Sequence, residues 1–70
     1  MEFLNKKIKF KDEEGYNYTG NVSNYESSVD SESSIGEFFI DIETSNNPEV
    51  KEGQGWIFKE TEIKSIEIIK

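Results

Sequence analysis

Two stretches of this chain change character at every residue. In "NKKIKFK" (5–11), Ile8 and Phe10 point one way while Lys7, Lys9 and Lys11 point the other. In "EFFIDIET" (37–44), Phe38, Ile40 and Ile42 share one face, and Phe39, Asp41 and Glu43 share the opposite one. A period of two with one apolar side is the signature of a half-buried strand, because successive side chains leave a pleated backbone on alternate faces. A third stretch, "YNYTGNVSNY" (16–25), continues the pattern with Tyr16, Tyr18, Gly20 and Val22 on one side. Such a chain must bury one sheet face, and it offers no long amphipathic helix to cover it.

Composition points the same way. The 70 residues contain no alanine, and Leu4 is the sole leucine; isoleucine and the aromatics supply most of the apolar content. Those residues favour strands. The chain is long enough for one domain, 1–70, near the lower limit at which a core supports itself. It has no cysteine and no histidine, so neither a disulfide nor an ordinary zinc site is open to it. Stability has to come from packing, from a well-formed sheet, or from a partner subunit.

The segments between the strands read as turns and loops. "DEEG" (12–15) is a polar turn ending in a glycine free to take a positive φ. Gly20, inside a strand pattern, marks a bulge, a bend or a close backbone approach. "ESSVDSESSIG" (26–36) and "SNNPEVKEGQG" (45–55) are loops, "WIFKE" (56–60) is a short strand, and "TEIKSIEIIK" (61–70) begins with a helical or 3₁₀ turn over "TEIKS". Ile66 and Ile68 then face inward on a last strand. The spacing of Ile63, Ile66 and Ile69 also suits a helix, but the β-branched run "IEII" favours the strand. Five short strands at this size should curl rather than lie flat.

The order of elements resembles the SH3-like barrels: a first hairpin, long loops, a short fourth strand, and a 3₁₀ turn before the last. Gly15 to Val22, "GQGWIF" (53–58) and "TEIKSIEII" carry that resemblance. It implies an all-β, five-stranded, partly open barrel; an OB-like or Sm-like barrel produces much the same string. In peptide-binding SH3 domains, loop tyrosines and a tryptophan opening a later strand form a ligand groove, which implies roles for Tyr16, Tyr18 and Trp56. The resemblance stops short of the ALYDY-type stretch and of the second groove tyrosine and proline. Tudor-like barrels bind methylated cations in an aromatic cage, and Tyr16, Tyr18, Tyr25 and Trp56 are similar in kind. Core packing is the competing reading of Tyr18, Phe38 and Trp56. Phe39 falls on the outward face with Asp41 and Glu43, which suggests a surface for a partner or for self-association.

Chemistry is sparse. Without His or Cys there is no nucleophile–base pair of the usual kinds, and the five glycines form neither a dinucleotide fingerprint nor a phosphate loop. Glu13/Glu14 and Glu60/Glu62 fall in turns or at strand ends, where a carboxylate lacks the pocket that tunes it for acid–base work. "DSESSIGE" has a superficial likeness to a calcium loop, but the sixth place from Asp30 is Ile35 and the twelfth is Asp41, where glycine and glutamate are needed. Asp30, Glu32 and Glu37 are at most loose ligands, and no metal, cofactor or catalysis is expected. Asn17-Tyr18-Thr19 and Asn21-Val22-Ser23 match the glycosylation sequon, as short Asn/Ser-rich chains do by chance.

Fifteen acidic residues face eight lysines, for a formal charge of −7. Nucleic acid and anionic membrane repel such a chain unless its lysines are segregated. Residues 1–10 hold no apolar run of signal-peptide length, so a cytoplasmic protein is the expectation. The leading functional expectation is a non-enzymatic interaction module that meets a protein partner, a basic one in particular, through Tyr16, Tyr18, Phe39 and Trp56 among acidic side chains; a homo-oligomer also fits. A second is an acidic mimic of nucleic acid, or a small inhibitor, directed at a DNA-binding protein. A third is an Sm-like or OB-like nucleic-acid binder using Lys6, Lys7, Lys9 and Lys11.

Overall fold

A computed structural model describes residues 2–29 and 34–69. Five strands, β1 (Lys7–Asp12), β2 (Asn17–Glu26), β3 (Glu37–Ser45), β4 (Gly55–Lys59) and β5 (Ile63–Ile68), form one antiparallel sheet. Their order across it is β4-β3-β2-β1-β5. A single 3₁₀ turn, Glu60–Glu62, separates β4 from β5. No helix among the described residues is long and apolar enough to cross a membrane.

The alternation sorts the side chains as expected. Ile8, Phe10, Tyr18, Val22, Phe38, Ile40 and Ile42 are all buried, and Phe58 joins them from β4. Lys7, Lys9, Lys11, Asp41 and Glu43 are exposed on the other face. Burying these side chains stabilises by roughly 1.5–3 kcal/mol for each large one, which is most of what a core this small has to draw on.

Ring contacts show how far the sheet curls. Phe10 on β1 and Phe58 on β4 lie three strands apart, roughly 14 Å in a flat sheet. Their ring centroids are 4.9 Å apart, edge to face. Tyr18 on β2 meets Phe58 at 5.1 Å and stacks on Phe10 at 4.8 Å. The sheet is therefore rolled around its aromatic centre, with β4 and β5 as its two edges.

Three register shifts permit the roll. The β2–β3 register shifts between Thr19 and Gly20 and again between Val22 and Asn24, and the β1–β5 register shifts at Lys11/Asp12. At Gly20 the third strand comes so close that a Cβ would run into the Asp41 carbonyl oxygen and lie 2.9 Å from Ile40 Cγ2. Both the bulge and the close approach foreseen at this glycine are present. Gly15 closes the first turn with φ of 95°.

The last third of the chain departs from expectation in detail. The 3₁₀ turn lies one residue earlier than the stretch "TEIKS", so Ile63 opens β5 and the strand reading of the tail holds. One local and one long-range bond set its position: the Lys59 N–H donates to Glu62 Oε1 at 2.8 Å, and the Glu13 N–H donates to the Glu62 carbonyl at 2.8 Å. The first bond closes the turn and the second seats it on the β1–β2 hairpin. Residues 46–54 form the foreseen loop, yet Val50 within it is buried in the core at 4% exposure. Phe3 also packs on the core, edge-on to Phe38 at 6.3 Å.

Candidate functional site

Asp12 organises one end of the rolled sheet. Its side chain is buried, with Oδ1 accepting from the N–H groups of Glu14 and Tyr16 at 3.0 Å each. Oδ2 accepts from the Tyr18 hydroxyl at 2.5 Å. An aspartate bonding backbone groups two and four residues ahead is a turn-forming device, and it positions Glu13 and Glu14 at the tip. Burial, and secondarily the hydrogen bond to Asp12, pushes the Tyr18 hydroxyl up to about 12.

That hydroxyl in turn accepts from Asn47 Nδ2 at 2.9 Å. Asn47 holds its own loop through Ser45 Oγ and the Glu49 N–H, at 3.0 Å each. Asn46 completes the docking: its Oδ1 accepts from the Asn17 N–H at 2.8 Å, and its N–H donates to the Asn17 carbonyl at 3.2 Å. The polar loop after β3 is thereby tied to the first hairpin, with Val50 packed underneath.

Between these elements opens a cavity of about 120 Å³. Tyr18, Phe58 and Val50 line its interior, and Trp56, 38% exposed, forms part of its wall. Around it stand the carboxylates of Asp12, Glu13, Glu14, Glu49 and Glu62, and no lysine lines it. Asp12 and Glu62 are committed to internal hydrogen bonds. Glu13, Glu14 and Glu49 make no ion pair among the described residues. An aromatic wall beside uncompensated carboxylates is chemically suited to a cation with an apolar stem.

The four expected contact residues are not brought together. Tyr18 and Trp56 share the cavity, but Tyr18 is only 1% exposed, so its ring belongs to the core and its hydroxyl to Asp12. Tyr16 is half-buried against the core at the hairpin. Phe39 is half-buried on the outer face of β3, directly across from Ile57. No four-ring cage forms: Tyr25 packs on Phe38 at 5.0 Å and donates its hydroxyl to Glu60. That bond to a carboxylate raises the Tyr25 hydroxyl above its ordinary range. Sequence periodicity assigns a ring to a face of the sheet, but not to an end of it, and Tyr25 lies ten residues from Gly15 along a bulged strand.

The β1 lysines form a stripe on the outer face, each matched locally by polar or acidic groups. Lys7 pairs with Glu43 at 2.8 Å and holds that carboxylate below its usual range. Lys9 lies across from Glu67 on β5. Lys9 and Lys11 border a shallow groove of about 260 Å³ with Asn17, Ser65 and Glu67. Asp30 and Glu32, from the loop compared with a calcium site, lie outside the described residues. Among the described residues no group of three acidic side chains is arranged to hold a metal.

Asn47, Glu49 and Ile57 were not singled out by sequence reasoning, and Glu62 was considered only as half of a carboxylate pair with Glu60. For Ile57 a signal existed: "WIF" cannot bury three consecutive side chains on one face. No known family, curated protein or solved structure matches this chain.

Proposed function

We propose that the protein is a non-enzymatic interaction module that takes a basic segment of a protein partner at the Trp56 cavity. The observation that carries this reading is the lining itself: one exposed indole, several carboxylates from three separate turns, and no cation to neutralise them. A lysine or arginine of the partner would lay its methylene stem on Trp56 and place its charge between Glu13, Glu14 and Glu49. The strand order, with β5 returning beside β1 after a 3₁₀ turn, supports an SH3-like barrel as the scaffold. Catalysis has no support in a chain without His or Cys whose buried carboxylate is engaged in building a turn.

An amide-resolved NMR titration with a lysine-rich peptide tests this. The expected result is saturable shifts at the Trp56 indole N–H and at Glu13, Glu14 and Glu49, lost in Trp56→Ala. Shifts spread evenly over the acidic surface and indifferent to Trp56→Ala would overturn it in favour of general charge mimicry. Shifts confined to the β1 lysine stripe on adding an oligonucleotide, with none from the peptide, would overturn it in favour of nucleic-acid binding.

A further inference from the structure

The outer edge of β4 carries a pattern that the Trp56 reading does not use. The β3–β4 register runs unbroken from Glu37↔Lys59 to Asp41↔Gly55. Its ends are anchored by Glu60 N–H to the Gly36 carbonyl at 2.8 Å and Ile42 N–H to the Gln54 carbonyl at 2.9 Å. In an antiparallel ladder the backbone groups point alternately to one side and the other. Trp56 and Phe58 therefore bond toward β3, while the N–H and C=O groups of Gly55, Ile57 and Lys59 point away from the sheet. The Lys59 N–H is satisfied by Glu62 Oε1. Those of Gly55 and Ile57 face the open edge.

At its middle the outer face beside this edge is apolar, with Gly55 and Lys59 to either side of Ile57, and no charge guards the central position. Ile57 is 51% exposed, and its cross-strand neighbour is half-buried Phe39. The opposite edge, β5, presents Lys64, Ser65 and Glu67 as its exposed residues, which is the usual protection.

We infer that two copies of this chain associate weakly by pairing β4 with β4, antiparallel about a two-fold axis at Ile57. In that register Ile57 faces Ile57 of the second copy, and the two exchange both backbone bonds. Each Gly55 lies opposite Lys59 of the second copy, its N–H donating to that residue's free carbonyl without disturbing Glu62. Side chains directly opposite share a face, so Phe39, Ile57, and Ile57 and Phe39 of the second copy form one apolar strip. Charge fits the same register. Lys59 of the second copy crosses Gly55, which has no side chain, toward Asp41, the residue paired with Gly55 on β3. The position of a Gly55 Cβ lies only 3.5 Å from Asp41 Oδ1, so the lysine has a clear path to that carboxylate. A five-residue strand pair buries less than the roughly 1,600 Å² of a standard interface, and both copies are acidic, so the dimer is a weak one.

Sedimentation velocity from low-micromolar to millimolar concentration tests this, with Ile57→Lys and Asp41→Lys as variants and the far-UV spectrum and urea midpoint as folding controls. Both positions are exposed, so the variants should fold. The expected result is a reversible monomer–dimer equilibrium, weakened at least tenfold by either variant, with intermolecular contacts between Ile57 methyls in isotope-filtered spectra of mixed labelled samples. A wild type monomeric throughout, a dimer indifferent to Ile57→Lys, or assembly past the dimer would each overturn it. If only Asp41→Lys were without effect, the strand pairing would stand and the charge register would be wrong.

Discussion

The hydroxyl of Tyr18 donates to the buried carboxylate of Asp12 across the first hairpin, and one bond links two jobs. It holds an aromatic ring in the core of the rolled sheet, and it fixes the turn that displays Glu13 and Glu14. Tyr18→Phe should keep the fold and lose about 1.5–3 kcal/mol, the range for a hydrogen bond to a charged group. Asp12→Ala should lose more, because it also strands the Glu14 and Tyr16 N–H groups. Urea unfolding curves of the two variants check both magnitudes and their order.

The same bond carries a pH dependence at the alkaline end. The Tyr18 hydroxyl ordinarily ionises at 10.0 and is pushed up to about 12 in the folded protein. The folded state thus holds this proton more tightly than the unfolded state does. Its contribution is full below pH 10 and is lost as pH rises toward 12. Urea midpoints of the wild type should fall more steeply over that window than those of Tyr18→Phe. Parallel slopes would contradict the assignment.

Gly20→Ala should destabilise by about 1–3 kcal/mol, the cost of forcing an extra group into a packed site. The added methyl meets the Asp41 carbonyl, a backbone atom that cannot swing aside, together with Ile40 Cγ2. Thermal unfolding measures the loss. A neutral result would show that the strands do not approach as closely as described.

By contrast, Lys7→Gln should leave the unfolding midpoint unchanged within error. The Lys7–Glu43 pair is short at 2.8 Å, but both side chains are largely in water, with exposures of 46% and 40%. Water screens such pairs and their ordering offsets the attraction. A substantial drop in the midpoint would make this pair a structural element of the sheet.

Much of this fold was legible because burial follows strand parity. Ile8, Phe10, Tyr18, Val22, Phe38, Ile40 and Ile42 could be assigned to one face from alternation alone. The bend at Gly20 and the turn at Gly15 followed from what only glycine tolerates. The candidate site was legible in kind but not in membership. Trp56 and acidic neighbours were foreseen, whereas Asn47, Glu49 and Val50 sit in a loop whose place depends on long-range bonds to Asn17 and Tyr18. Such bonds leave no periodic trace. Tyr16 and Tyr25 were grouped with Trp56 by residue type, yet Tyr25 packs on Phe38 away from the cavity, while Phe39 lies on the outer face that its parity assigned.

Trp56 is the single tryptophan of the chain, so its fluorescence reports on the cavity alone. The most direct measurement is an emission titration with an oligolysine peptide at low ionic strength, repeated on Glu13→Gln/Glu14→Gln/Glu49→Gln. The wild type should show a saturable change, weakened steeply by added salt, absent with oligoglutamate and abolished in the triple variant. No change in the wild type, or an equal response in the triple variant, would contradict the Trp56 reading.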